Sequence, residues 1–167
     1  MGEVFNQKIK NGAAEASDRR KPIRVGDNFK KTKKMTNEKN VQAIQQAYVD
    51  FGNKNVEGLL NNMTDDVVWN NGNNPEIPYD KIRNGKKETM EFFMETASMM
   101  SYTEFAPQEF FADNDAVIVK GAYAGKITAT GKLFASEWVH IFKFRGDKVC
   151  HFQAFKDTAV IIAAFTA

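Results

Sequence analysis

The chain of 167 residues has one cysteine, two histidines and four prolines. Cys150 alone cannot close an intramolecular disulfide, which excludes a stapled secreted scaffold and any centre built on several thiolates. His140 and His151 are too few for a multi-histidine metal site, so no metal is expected. No apolar run approaches the roughly 18 residues needed to span a bilayer. The first residues, Met1 to Asn6, hold no secretory apolar core, and Asn6 stands where a myristoylation signal has Ser or Thr. These absences predict a soluble cytoplasmic protein without membrane association.

Charge of one sign is also scarce overall, with 23 Lys and Arg against 21 Asp and Glu, but it is unevenly spread. Residues 1–34 carry 10 basic and 4 acidic side chains, and the remainder 13 and 17. The first 34 residues show no apolar period of 2 or 3.6, so they cannot bury enough surface to offset ordering entropy of about 1–2 kcal/mol per residue. They read as a basic, disordered extension. Only Phe5 and Phe29 could stack on bases there, which argues against nucleic acid as a partner.

From Met35 onward a single domain with 14 phenylalanines in the whole chain to draw on takes shape. Val41, Ile44, Tyr48 and Phe51 recur at helical spacing before Gly52. Asn55 caps a short second helix carrying Val56, Leu59, Leu60 and Met63. Residues 67–71 read as a strand, and a Gly/Asn/Pro loop runs from Gly72 to about Gly85. A third helix follows over about 86–100, with Met90, Phe93, Met94 and Ala97 on its apolar stripe. Strands are then expected at 103–111, 116–127, 132–145 and 148–155, and Asp157 caps a last helix over 158–165. The order predicts an α+β fold, helices covering one face of a curved, mostly antiparallel sheet.

Strand alternation sorts the side chains. Ser136, Trp138, His140, Phe142 and Phe144 share one face; Val117, Val119, Gly121 and Tyr123 share another strand's inner face; Phe152 and Ala154 are paired on the last strand. The strands are apolar on both faces, which predicts a homodimer covering the outer one. His140, between Trp138 and Phe142, is the residue most in need of explanation, because a buried imidazole must find a partner or lose its charge. No Asp or Glu falls on the inward faces, and Lys156 is placed near the sheet's end or the pocket mouth, where a solvated charge is the simpler reading.

The series from Val41 to Tyr48, Asn55-Val56-Glu57-Gly58-Leu59-Leu60, Thr64 to Trp69, Arg83-Asn84-Gly85-Lys86 and Trp138-Val139-His140-Ile141-Phe142, closing on Phe155-Lys156-Asp157-Thr158-Ala159, resembles the SnoaL-like, ketosteroid-isomerase-related proteins of the nuclear transport factor 2-like superfamily. The resemblance runs from about Val41 to Phe165. It implies a cone-shaped α+β barrel with an internal pocket, frequent dimerisation through the outer sheet face and no cofactor. It places Tyr48 and His140 at the two oxyanion-donor positions of the steroid isomerases. The isomerases' base carboxylate falls on Asn71, which cannot accept a proton. Ala154 stands where epoxide hydrolases of this fold have Asp, and Gln153 where relatives often carry Arg.

The catalytic candidates are therefore His140 as base and Tyr48 as donor, and the ligand-binding candidates are Trp69, Asn71, Met90, Phe93, Tyr123, Trp138 and Phe152. The expected ligand is a small apolar carbonyl compound. Three readings stand side by side: a cofactor-independent isomerase, cyclase or dehydratase; a binding protein with the same pocket and no chemistry; and a dimeric interaction module whose basic extension recruits an acidic partner.

Overall fold

A computed structural model describes the backbone of residues 25–166 and the side chains of Lys34 and of residues 36–166. The chain divides into two units, Met1–Thr32 and Lys33–Ala167. Helix α1 spans Val25–Gly52, so residues 25–34 are helical although they read as lacking regular structure. A helix already formed further along extends at the cost of propagation only and needs no apolar face to do so. The expectation for residues 1–24 lies outside the described residues.

In the second unit, α1 turns Ile44, Tyr48 and Phe51 inward at i, i+4 and i+7. Lys54, at φ 59°, reverses the chain, and the Asn55 side chain accepts from Gly58 N at 3.1 Å to cap α2 (Val56–Asn61). Strand β1 (Met63–Asn70) leads into a loop and a short strand β2 (Ile82–Asn84), which the sequence does not announce because three residues show no alternation. Helix α3 (Gly85–Met99) begins at Gly85, whose φ of 76° suits glycine, and the Glu88 carboxylate accepts from Asn84 N at 2.7 Å. Strands β3 (Met100–Asp113), β4 (Ala116–Ile127), β5 (Leu133–Arg145) and β6 (Lys148–Lys156) form a meander. Helix α4 (Thr158–Phe165) is capped by Asp157, which accepts from Ala159 N and Val160 N.

The six strands make one mixed sheet, ordered β2-β1-β6-β5-β4-β3, with β1 and β6 parallel and the other pairs antiparallel. Tyr48 reaches from α1 to rings of β3 and β5, within 6.2 Å of Phe105, Phe110, Trp138 and Phe142. Phe51 meets Phe93 of α3 and Phe105 of β3. The α3 stripe differs from the expected one: Thr89, Phe92, Phe93 and Thr96 are buried, whereas Met94 is 66% exposed. The two threonines escape the cost of burial by donating to the carbonyls of Gly85 and Phe92 four residues back, both at 2.9 Å.

Gly121 on β4 sits opposite Trp138 on β5. A Cβ there would fall 2.2 Å from Trp138 Cζ2 and 2.5 Å from the Ala106 carbonyl oxygen. Glycine thus lets the indole lie flat against the sheet and leaves room in front of it. Gly121→Ala is expected to cost about 1–3 kcal/mol in urea denaturation; an unchanged midpoint would show that the indole is free to move aside.

The outer face keeps apolar side chains in solvent. Phe111 is 55% exposed and Phe155 54%. The register aligns Phe111, Ile118 and Ile141 across three strands, with Val139 opposite Phe155 in the next row. Lys120 lies 3.9 Å from Glu109 and 3.4 Å from Glu137 beside that patch. No helix among the described residues is long and apolar enough to cross a membrane.

Candidate ligand-binding site

The inner face of the sheet, α1 and α3 enclose a cavity of about 90 Å³. It is smaller than the roughly 150 Å³ apolar cavity that takes up benzene, so a ring-sized ligand enters as lining side chains give way. Its wall is aromatic: Tyr48, Trp69, Phe93, Tyr123, Trp138 and Phe152 all contribute, together with Asn71 and His140. Of the candidates named from the sequence, Met90 alone is absent from this wall. It is partly buried and packs on the core, because the helix face turned to the cavity passes through Phe92, Phe93 and Thr96 instead.

Tyr48 and His140 meet across the cavity, with Tyr48 Oη 3.0 Å from His140 Nδ1. Two tautomers satisfy this contact. With the proton on Nε2, Tyr48 donates to Nδ1. With the proton on Nδ1, the imidazole donates to Oη, the phenol hydrogen is released toward a ligand, and Nε2 carries the lone pair. Trp138 stacks on the imidazole at 4.0 Å between centroids, and Phe152 meets it edge-on at 5.0 Å. Burial, assisted by the nearby Lys156 ammonium, pushes the His140 pKa down to about 3. Burial also raises the Tyr48 phenol well above its ordinary value, so it remains a neutral donor.

A second polar group gathers around Lys156, which the sequence places at the sheet's end or the pocket mouth. Lys156 lines the cavity with its side chain only 7% exposed, and its Nζ bonds Asp80, itself 1% exposed at the side chain. Nζ also donates to the Asn71 carbonyl at 2.7 Å, while Asn71 Nδ2 donates to Asp80 Oδ1 at 3.2 Å. The ammonium stands 5.3 Å over the Tyr79 ring. Burial raises the Asp80 pKa and lowers that of Lys156, in each case against the pull of the partner. The reading of Lys156 as a solvated charge is corrected: it continues the inward alternation of Phe152 and Ala154 two residues further. The inward strand faces carry no Asp or Glu, as expected, and the loop adds one buried carboxylate behind Lys156. Asp80 lies between Tyr79 and β2, where alternation has nothing to say.

Among the described residues three further polar groups on the cavity wall have no hydrogen-bond partner: the indole nitrogens of Trp69 and Trp138, residues 6% and 2% exposed, and the Tyr123 hydroxyl, in a residue 8% exposed. Among the described residues no cluster of His, Cys, Asp or Glu is arranged to hold a metal ion.

Comparison with known proteins places this architecture. The profile of the SnoaL-like domain matches residues 44–152. An NTF2-like protein from Burkholderia xenovorans LB400 superposes with a TM-score of 0.72 at 23% identity, covering 78% of this chain and 98% of its own. TerC, co-crystallised with polyporic acid, superposes with a TM-score of 0.64 at 24% identity, over 77% of this chain and 99% of its own. A candidate polyketide cyclase from Xanthomonas campestris pv. campestris gives 0.65 at 13% identity, over 78% and 98%. At such identities these likenesses establish the fold, a cone-shaped α+β barrel. No curated protein matches significantly.

Proposed function

We propose, from the premise that this chain belongs to the SnoaL-like domain family, that its cavity takes up a small apolar carbonyl compound and moves a proton on it without a cofactor, as an isomerase, cyclase or dehydratase does. The observation that carries this is the Tyr48–His140 contact on an aromatic cavity wall. In the tautomer with Nδ1 protonated, Tyr48 Oη gives its hydrogen to the substrate carbonyl, and Nε2 of His140 is left to accept a proton from the adjacent carbon. A base whose pKa is held near 3 suits only an acidic carbon, one activated by more than a single simple ketone. The aromatic wall favours a planar ligand. The co-crystallisation of TerC, which shares this fold, with polyporic acid supports a small-molecule ligand.

Deuterium wash-in tests the reading. With 2-indanone in heavy water, the protein is expected to accelerate exchange at the carbon beside the carbonyl. Tyr48→Phe and His140→Asn should each lose most of an acceleration of about 10²–10⁴-fold. Exchange no faster than in buffer would remove the catalytic reading. The binding reading, which Asn71 in place of a base carboxylate favours, would then stand if 2-indanone still bound.

The apolar outer face around Phe111, Ile118 and Phe155 supports a homodimer in which a second copy covers it. Sedimentation of the full chain is expected to give twice the 18.9 kDa mass; a monomer at micromolar concentration would contradict this.

A further inference from the structure

The Lys156–Asp80–Asn71 group answers a question that the Tyr48–His140 pair leaves open, namely which end of the cavity tolerates charge. An ammonium has three N–H bonds. Asp80 and the Asn71 carbonyl take two of Lys156's, and no third acceptor is found among the described residues. Asp80 itself is not part of the wall; it holds Lys156 in place while Lys156 presents itself to the cavity. Such an arrangement is a costly way to build a core, since both groups give up hydration that their mutual attraction repays only in part. The unpartnered indole N–H groups of Trp69 and Trp138, each more than nine-tenths buried on the same wall, are a second and independent sign of a ligand bearing acceptor atoms. The register places them close by: Trp138 pairs with Lys156 across β5 and β6, and Trp69 with Phe152 across β1 and β6.

We infer that Lys156, oriented by Asp80 and Asn71, binds a ligand oxygen that carries negative charge, so that among compounds of one shape the cavity prefers those that ionise to an enolate or phenolate over those that stay neutral. This rests on the reading of the cavity as a ligand site and names the class of ligand it takes. Lys156 is the contact residue and Asp80 a positioning residue. A charge-assisted hydrogen bond from an ammonium in an aromatic, water-poor cavity is worth more than the same bond in water. It also complements the proposed proton transfer, because removal of a proton beside a carbonyl leaves the oxygen with the charge. The groups facing Lys156 are Asp80, Tyr79 and Asn71, with His140 near enough to feel its field.

The test uses 4-nitrophenol, whose yellow phenolate reports ionisation directly, and the neutral 4-nitroanisole as its shape control, each titrated against the full chain. In Lys156→Met the bound phenol is expected to ionise at least about one pH unit higher than in wild type, a tenfold loss of preference for the anion. In Asp80→Asn it should ionise lower than in wild type, since the ammonium loses its internal counter-charge. The double variant Asp80→Asn, Lys156→Met guards against failure to fold; the phenol should ionise higher in it than in wild type, and no higher than in Lys156→Met. Nitroanisole affinity should change much less than that of the phenolate, as a neutral oxygen draws less from the ammonium than an anionic one does. Bound phenol that ionises alike in all four proteins would overturn the assignment to Lys156 and leave the ligand-site reading intact. Failure of both probes to bind wild type would overturn that reading and this inference with it.

Discussion

Lys156→Met alone is expected to cost about 3–5 kcal/mol of folding stability, whereas Lys156→Met combined with Asp80→Asn should cost nothing or stabilise by up to about 4 kcal/mol. The single substitution strands Asp80, 1% exposed at its side chain, with only Asn71 and backbone donors to hold a charge. The double substitution removes both desolvated charges at once. The directions of the two shifts support this. Burial raises Asp80 and lowers Lys156 even though each partner pulls the other way, so desolvation outweighs pairing. A raised folded-state pKa at Asp80 means the folded protein binds that proton more tightly, and stability is lost as pH rises through the window above 3.8. A lowered Lys156 means stability is gained as pH rises toward 10.5. In Lys156→Met the Asp80 window extends further upward, so the deficit should shrink in acid. A urea double-mutant cycle at neutral pH, repeated at acid pH, reads all of this. A double variant clearly less stable than wild type would show that the pair contributes net stability, and would remove the argument that it is kept for its ligand.

The second large effect concerns acid stability. His140 is held near a pKa of about 3 against an ordinary value of 6.5. Across that interval the unfolded imidazole takes up a proton that the folded one refuses, so stability falls as pH drops below 6.5 and continues to fall toward 3. At about 1.4 kcal/mol per unit the shift amounts to several kcal/mol. His140→Asn keeps an acceptor for Tyr48 and removes the titration. Its stability relative to wild type should therefore improve by at least about 2 kcal/mol between neutral pH and about pH 4. Asp80 works in the opposite sense and His151, also lowered by burial, in the same sense. Both are present in each protein and cancel in the difference. Parallel acid profiles for the two proteins would mean that His140 is solvated and titrates normally.

Much of this arrangement was legible in the residues. Period-2 alternation on β5 placed Trp138, His140, Phe142 and Phe144 on one face, and period-3.6 spacing on α1 placed Ile44, Tyr48 and Phe51 on another. Their meeting at 3.0 Å between Tyr48 and His140 follows from laying that helix on that face. Capping by Asn55 and Asp157 was equally direct, because an acceptor side chain before an apolar run has few other uses. The failures have physical causes. Thr89 and Thr96 lie outside the apolar stripe that spacing marks on α3, because a hydroxyl carries no apolar signal, yet each hides its hydroxyl on its own helix. Strand β2 is too short for a pattern. Lys156 was discounted for its charge although Phe152 and Ala154 already marked the inward register. Asp80 depends on a loop folding back between Asn71 and β2, and no local period encodes such a return. Residues 25–34 showed no apolar face, and helix continuation from α1 required none.

The central claim is that His140 stands neutral, bonded to Tyr48, on the wall of a cavity that receives a ligand. Nitrogen-15 NMR of the imidazole rings through a pH titration, with His151→Gln to assign the two histidines, measures it directly. The account predicts that His140 keeps a single neutral tautomer from neutral pH down to below about pH 4.5, that Tyr48→Phe alters the Nδ1 resonance, and that 4-nitroanisole shifts the ring signals. A His140 that titrates near 6.5 and ignores both the Tyr48 substitution and the added ligand would contradict it.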